Sequence, residues 1–376
     1  MKILLTAQQR GSTNALAPIA KELSRRGHDL TIYATGNENE AAGFQDLYYK
    51  LISLSKETED YANLVKDYNA VVVGLSGYYT PDGYFLRAAN HQKIPTFAIQ
   101  CQNSHYLQKL GINPADLPTF LALMDTGCID TMRKELPSEM ADEAVKSSTI
   151  IGWTAFDHYA KLRDNFNQDK KEKILSSLEI NPNNPLNLHL TQNIHPSSRY
   201  ITEKNISFDE WAVRFNYEMG VTRFTFEAAS DLGLKLVVKP HPGEEYTINY
   251  TKELADRHGF QYIPANACST QELMLAANSI TAGRSTSLTE ATLLDRNCGG
   301  IIPDIQQEEI DSFPALTLGA IPYTQNWDWI KNILKQVTSQ DEAITRQLAK
   351  DRLKFSVDGK ASKRLADLIE NVCHQY

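Results

Sequence analysis

The sequence predicts an α/β protein of two doubly wound, largely parallel sheets facing a cleft. Three observations carry this expectation. The chain has 376 residues, too long for one ordinary hydrophobic core and comfortable for two. Short apolar stretches of strand length alternate with helical stretches along the chain, and parallel strands require such crossovers. The alternation also restarts in mid-chain. A charged, strand-free stretch from Lys161 to Glu179 is followed by the loop cluster NPNNP at Asn181 to Pro185, and a second series begins after it.

The first series opens with KILLTA as an apolar strand, a polar loop, and a helix from Ala15 to Arg26 with apolar residues at helical spacing. Gly27 after Arg25 and Arg26 is a helix stop with positive charge in the last turn, which suits the helix dipole. DLTIYAT then completes a βαβ unit. AVVVGL leads into the loop SGYYTPDG, a helical stretch through Ala89 and the strand IPTFAIQ. After Glu135 the chain reads as polar helix, and STIIGW gives one more strand. The boundary is placed near Ala160, with a first domain over 1–160 and a second over 161–350.

The second series starts with LNLHLTQN. A long helix from Ser207 to Leu232 precedes LKLVVKPHP, and QYIPA, NSITAG and GGIIPDI are further short strands between helical segments. The C-terminal stretch carries Leu365, Leu368 and Ile369 at helical spacing. Residues 351–376 are expected to form a C-terminal helix that crosses back to the first domain. No repeat or low-complexity segment interrupts the chain.

Composition excludes several function classes. A net charge of −8 disfavours a general electrostatic grip on nucleic acid or on an anionic membrane, so no nucleic-acid partner and at most peripheral membrane contact are expected. Apolar runs such as Ala70 to Leu75 are far too short to span a bilayer. The first residues read as a strand and not as a secretory signal, so a cytoplasmic location is expected. Five scattered cysteines without a CxxC pair encode neither a disulfide framework nor a zinc site. HExxH, GxxxxGK[ST] and GxSxG are all missing. No metal and no cofactor are expected.

Ligands of doubly wound sheets gather at the carboxyl ends of the strands, and the unusual polar segments follow predicted strands. The first segment is Gln8 to Asn14. Arg10, Gly11 and Ser12 are candidate substrate contacts there, because Gly11 and Ser12 permit close backbone approach and a helix N-terminus favours anions or polar sugar groups. Helix capping by Ser12, Thr13 or Asn14 is the plainer reading. The second is Lys239-Pro240-His241-Pro242. Prolines on either side of His241 fix the backbone at a strand's open end, where the imidazole can donate to a phosphate and Lys239 adds charge. The third is Gly283-Arg284-Ser285-Thr286-Ser287, whose N–H and hydroxyl groups suit a phosphate at a helix start. Glu290, one turn on, can accept from ribose hydroxyls or form a capping box with Ser287. Gln192 and Asn193, after the first strand of the second domain, are candidate substrate contacts. Asp82, in Pro81-Asp82-Gly83 after AVVVGL, is a candidate general base, although Pro-Asp-Gly is also a common turn and spacing alone favours the turn.

These segments resemble the GT-B glycosyltransferase superfamily, which has two Rossmann-like domains with the donor nucleotide held mainly by the second. IIGWTAFDHY is similar to the V-x-G-x-P-x-x-D segment where many such enzymes cross between domains. KPHP and GRSTSLTEA resemble their nucleotide-phosphate motifs, and FSVDGKASKRLADLI resembles the C-terminal stretch of teichoic-acid polymerases and capsule transferases. Within the superfamily, the His-Pro pair and the Ser/Thr cluster look like bacterial sialyltransferases and related capsule enzymes. That resemblance implies a metal-independent glycosyltransferase of glycan or cell-surface polysaccharide synthesis, moving a sugar from a CMP- or UDP-linked donor to a hydroxyl acceptor. It implies Asp82 as the base, His241 at the departing phosphate, and Ser285, Thr286 and Ser287 around the nucleotide phosphate. The sequence departs from the pattern at Pro81, where a second acid is frequent, and at Thr154-Ala155, where a proline is common. Two alternatives stand beside it. One is a non-hydrolysing UDP-sugar 2-epimerase, whose Ser-Gly-Gly-x-x-x-Glu-Glu segment is replaced here by RSTSLTEA with a single acid. The other is a catalytically silent nucleotide-sugar-binding protein.

Overall fold

The computed structural model describes residues 1–7, 10–35, 44, 47–48, 50–52, 61–74, 81–99, 117–191, 208–241, 248–283, 285–303, 316, 319–339, 347, 351 and 357–375. The chain divides into two units, Met1–Lys161 with Phe355–Tyr376, and Leu162–Lys354.

The first unit runs β1 (Lys2–Ala7), α1 (Arg10–Arg25), β2 (Asp29–Thr35), β3 (Lys50–Ile52), α2 (Tyr61–Val65), β4 (Ala70–Gly74), α3 (Pro81–His91), β5 (Thr96–Ile99) and β6 (Phe120–Leu123), then α4 (Gly127–Glu135), α5 (Ser138–Lys146), β7 (Ser148–Ile150) and α6 (Asp157–Asp164). The second runs α7 (Gln168–Ser177), β8 (Asn187–Leu190), α8 (Phe208–Asp231), β9 (Leu236–Lys239), α9 (Ile248–His258), β10 (Gln261–Tyr262), α10 (Thr270–Ala276), β11 (Ser279–Ala282), α11 (Ser287–Leu293), β12 (Cys298–Ile301), β13 (Tyr323–Thr324) and α12 (Ile330–Thr338). The last helix, α13 (Ala361–Cys373), returns to the first unit.

Both sheets are parallel throughout. Their orders are β3-β2-β1-β4-β5-β6-β7 and β10-β9-β8-β11-β12-β13. Each therefore reverses direction once, between β1 and β4 in the first unit and between β8 and β11 in the second. Strands such as Ala70–Gly74 and Ser279–Ala282 are buried along their whole length, and the first of them reads accordingly as a continuous apolar run without alternation. Two short strands of the first sheet, β3 and β6, went unread in the sequence. The four-residue run Phe120–Leu123 carries no period that separates a buried strand from a helix segment.

The first unit's core joins β1, β4 and β5 to the inner face of α1 through Leu16, Ile19, Ala20 and Leu23. Leu365, Ala366, Ile369 and Val372 of α13 belong to the same cluster, so the last helix completes the core of the first unit. Its N-terminus is held by Asp157, which is 8% exposed. The Asp157 carboxylate accepts from the Ala361 N–H at 3.0 Å, the Ser362 N–H at 2.8 Å and the Ser362 hydroxyl at 2.6 Å. Further along α13, Arg26 pairs with Asp367 at 2.8 Å and with Glu370 at 2.6 Å. The second unit's core gathers Phe226 and Ala229 of α8, Val238 of β9, Leu254 of α9 and Ile333, Leu334 and Val337 of α12.

Candidate functional site

In the second unit, register brings three sequence motifs together. Leu190 pairs with Lys239 on one side and with Ala282 on the other, so Lys239, Leu190 and Ala282 form one row across β9, β8 and β11. The chain leaves the sheet just past that row in all three places: into Pro240-His241 from β9, into Thr191 and the residues after it from β8, and into Gly283 to Ser287 from β11. The Thr191 N–H donates to the Lys239 carbonyl at 3.2 Å, which carries the β8–β9 ladder one residue further. The row lies at the carboxyl ends of the strands and includes the β8/β11 reversal, the place where a doubly wound sheet opens a crevice for ligands.

The individual residues differ in what they offer. His241 is exposed beyond buried Pro240. Lys239 is 1% exposed, and its ammonium donates to the Ala265 carbonyl at 2.7 Å and the Pro264 carbonyl at 3.4 Å. Burial pushes that ammonium below the ordinary lysine range, with the Cys268 thiol nearby acting the other way. The added charge expected of Lys239 at a phosphate is thus engaged with backbone carbonyls. Gly283 is buried, Ser285 and Ser287 are half-buried and Thr286 is exposed. The Ser285 hydroxyl accepts from the Ser287 N–H at 3.2 Å. Thr286 occupies the N-cap of α11 and makes no side-chain cap bond, so the Ser287–Glu290 capping box is not the arrangement found. Glu290 instead accepts from the Gln271 amide at 3.3 Å. Arg284, Gln192 and Asn193 lie outside the described residues.

His189, inside β8, faces away from this chemistry. It is 1% exposed, meets the Thr281 hydroxyl through Nδ1 at 3.0 Å and has the Phe226 ring edge-on at 5.6 Å. Burial pushes its imidazole down to about 4, so at neutral pH it is an uncharged core residue.

In the first unit, Asp82 lies in the first turn of α3 at 1% exposure and its Oδ1 accepts from the Thr6 hydroxyl at 2.9 Å. Thr6 pairs with Val73 in the neighbouring strand, which places Asp82 above the β1/β4 reversal. At that burial the Asp82 carboxylate is shielded from solvent. α1 begins at Arg10 and not at Ala15, so Arg10, Gly11 and Ser12 form its first turn. Gly11 is exposed, whereas Ser12 is buried against Gly74. A Cβ added at Gly74 would collide with the Ser12 Cβ and come within 3.3 Å of its Cα. Ser12 therefore belongs to the close contact of α1 with the end of β4. The GWTAFD segment also closes on α1: the Thr154 hydroxyl donates to the Ala15 carbonyl at 2.8 Å. Among the described residues no group of three His, Cys, Asp or Glu side chains is placed to hold a metal ion, and no helix is long and apolar enough to cross a membrane.

No protein-family model and no curated protein matches the chain. Solved structures do. UDP-GlcNAc 2-epimerase from Neisseria meningitidis bound to UDP-GlcNAc superposes with a TM-score of 0.64 at 14% identity, covering 99% of this chain and 100% of that one. MurG from Acinetobacter baumannii gives 0.59 at 15% identity, covering 98% and 99%. SsfS6, a glycosyltransferase of Streptomyces sp. SF2575, gives 0.51 at 13% identity, covering 98% and 99%. The chain has the GT-B fold. Further UDP-N-acetylglucosamine 2-epimerase structures match over similar lengths. At these identities the likeness establishes the fold, and chemistry has to be argued from the site.

Proposed function

We propose that this GT-B chain is an enzyme of nucleotide-sugar metabolism that acts on a UDP-sugar, with inversion at C2 of the sugar as the leading reaction. The observation that carries the nucleotide part is the single row Lys239–Leu190–Ala282, from which KPHP and the Ser/Thr segment both leave the second sheet. In this reading His241 and the hydroxyl and N–H groups of Ser285, Thr286 and Ser287 hold the phosphates. Glu290, its carboxylate steadied by Gln271, accepts from the ribose. Asp82 moves a proton. The preference for epimerisation rests on the number of full-length structural neighbours described as UDP-GlcNAc 2-epimerases.

Glycosyl transfer is the second reading, favoured by the MurG and SsfS6 likenesses and by the motif resemblances of the sequence. The two separate cleanly by experiment. Inversion at C2 breaks a C–H bond and remakes it on the other face, so UDP-GlcNAc incubated alone in D2O yields a second UDP-sugar carrying deuterium at C2. Transfer breaks the bond between C1 and the phosphate oxygen and consumes the donor only when a hydroxyl acceptor is added. Thermal stabilisation by UDP without any turnover marks a binding protein. Stabilisation by CMP in preference to UDP would overturn the choice of nucleotide. Asp82→Asn is expected to abolish turnover while leaving UDP affinity nearly unchanged, and full turnover in that variant removes Asp82 from the mechanism.

A further inference from the structure

The crossover from β10 to β11 has two strands to pass. The sheet order is β10-β9-β8-β11, a sideways step of about 14 Å at the usual strand spacing. The step is complete by the start of α10, because the Gln271 side chain already touches Glu290 of α11, the helix that follows β11. Residues 263–270 therefore run across the C-terminal ends of β9 and β8, over the row from which the candidate phosphate-binding segments leave.

This loop is tied down at both ends. At its start the Ile263 N–H donates to the Val238 carbonyl at 2.8 Å, and the Ala267 N–H closes a turn onto the Pro264 carbonyl at 3.0 Å. Between them, Lys239 donates to the carbonyls of Ala265 and Pro264. At its far end the Ser269 hydroxyl caps α10 by accepting from the Glu272 N–H at 3.4 Å and donates to Gln271 Oε1 at 3.0 Å, while Gln271 reaches Glu290. A buried ammonium is stable only where neighbouring acceptors replace its water, and the acceptors Lys239 has found are carbonyls of this loop.

We infer that Lys239 is a positioning residue that clamps the crossover loop 263–270 across the strand ends, so that it governs nucleotide binding through the shape of the loop and not through charge at a phosphate. The inference rests on the reading of the strand-end row as a nucleotide site. It makes a distinction that a direct phosphate contact does not. Loss of a phosphate ligand weakens a nucleoside diphosphate and spares the nucleoside; loss of a loop clamp weakens both alike.

The test uses the full chain and its variants Lys239→Met, which keeps the apolar stem and removes the donors, and Lys239→Arg, which keeps donors. Affinities for UDP and for uridine are titrated separately, and amide exchange is followed at residues 264–270 without ligand. The Met variant is expected to lose about tenfold or more in affinity for both probes by the same factor, with faster exchange at Ala265 to Cys268 and partial recovery in the Arg variant. A loss confined to UDP, or unchanged exchange in the loop, overturns the inference while the nucleotide reading stands. A wild-type chain that binds neither probe sinks the nucleotide reading instead, and the exchange measurement then decides by itself whether Lys239 holds the loop. If the Met variant does not fold, Lys239→Gln, with one amide donor, takes its place in both measurements.

Discussion

Removing the carboxylate of Asp157 should release the last helix from the first unit. That carboxylate accepts three hydrogen bonds at 2.6–3.0 Å, two from the first N–H groups of α13 and one from the Ser362 hydroxyl. A hydrogen bond to a charged group contributes about 1.5–3 kcal/mol net. The three share one side chain, and water reaches part of the exposed helix end in its absence, so the sum is an upper bound; Asp157→Ala is expected to cost about 3–5 kcal/mol. The loss matters because α13 is part of the core: Leu365, Ala366, Ile369 and Val372 are buried with β1 and α1. For a unit of this size each kcal/mol moves the melting midpoint by about 2–4 °C, so the first unit's transition should fall by about 6–20 °C. Asp157→Asn keeps the volume and one acceptor but turns an amide donor toward N–H donors, and should fall between wild type and Ala. The assay is calorimetry, with amide exchange at residues 361–365 to locate the effect. A first-unit transition that stays where it is in the Ala variant, with α13 amides still protected, would refute the role of Asp157 as the helix anchor.

Two further outcomes follow from burial. His189 has its folded pKa depressed to about 4 against an ordinary value of 6.5, so between those pH values the unfolded chain binds a proton that the native chain excludes. Stability should be full above about pH 6.5 and fall by on the order of 3 kcal/mol as pH drops toward 4; urea midpoints measured across this window should show a shallower slope in His189→Gln, and identical slopes would remove His189 as the cause. Gly74→Ala places a Cβ on the Cβ of Ser12 and within 3.4 Å of Leu16, an overpacking expected to cost about 1–3 kcal/mol. Because the worst contact is with the Ser12 side chain, Ser12→Gly in the same chain should recover part of the loss, and a double-mutant cycle with no coupling contradicts the contact.

Much of the fold was legible because strand and helix signals are local. The runs KILLTA and AVVVGL are largely apolar over strand length, and Gly27 marks a helix end with φ +84°, a conformation open to glycine at little cost. Alternation of such elements implies parallel sheets through the handedness and length of crossovers. The strands that escaped, β3, β6 and β13, are two to four residues long, too short to show a period. The N-terminal boundary of α1 escaped for a related reason: Gly11, Ser12 and Thr13 look like loop chemistry, and the packing of Ser12 against Gly74 is a contact between residues distant in sequence.

Sequence alone thus determined the α/β class, the two-part organisation and the motifs at strand ends, since each depends on residues close along the chain. The tertiary structure decided which of those ends are neighbours and what each side chain does there. Strand order and register set Lys239, Leu190 and Ala282 in one row, and these are pairings between residues more than forty positions apart. Burial then separated similar residue types. His241 lies exposed past the sheet while His189 is an uncharged core residue. Lys239, read from sequence as a charge for phosphate, is spent on the carbonyls of a loop. The cost of desolvating a charge and the acceptors available to offset it come from residues distant in sequence, and no local pattern encodes them.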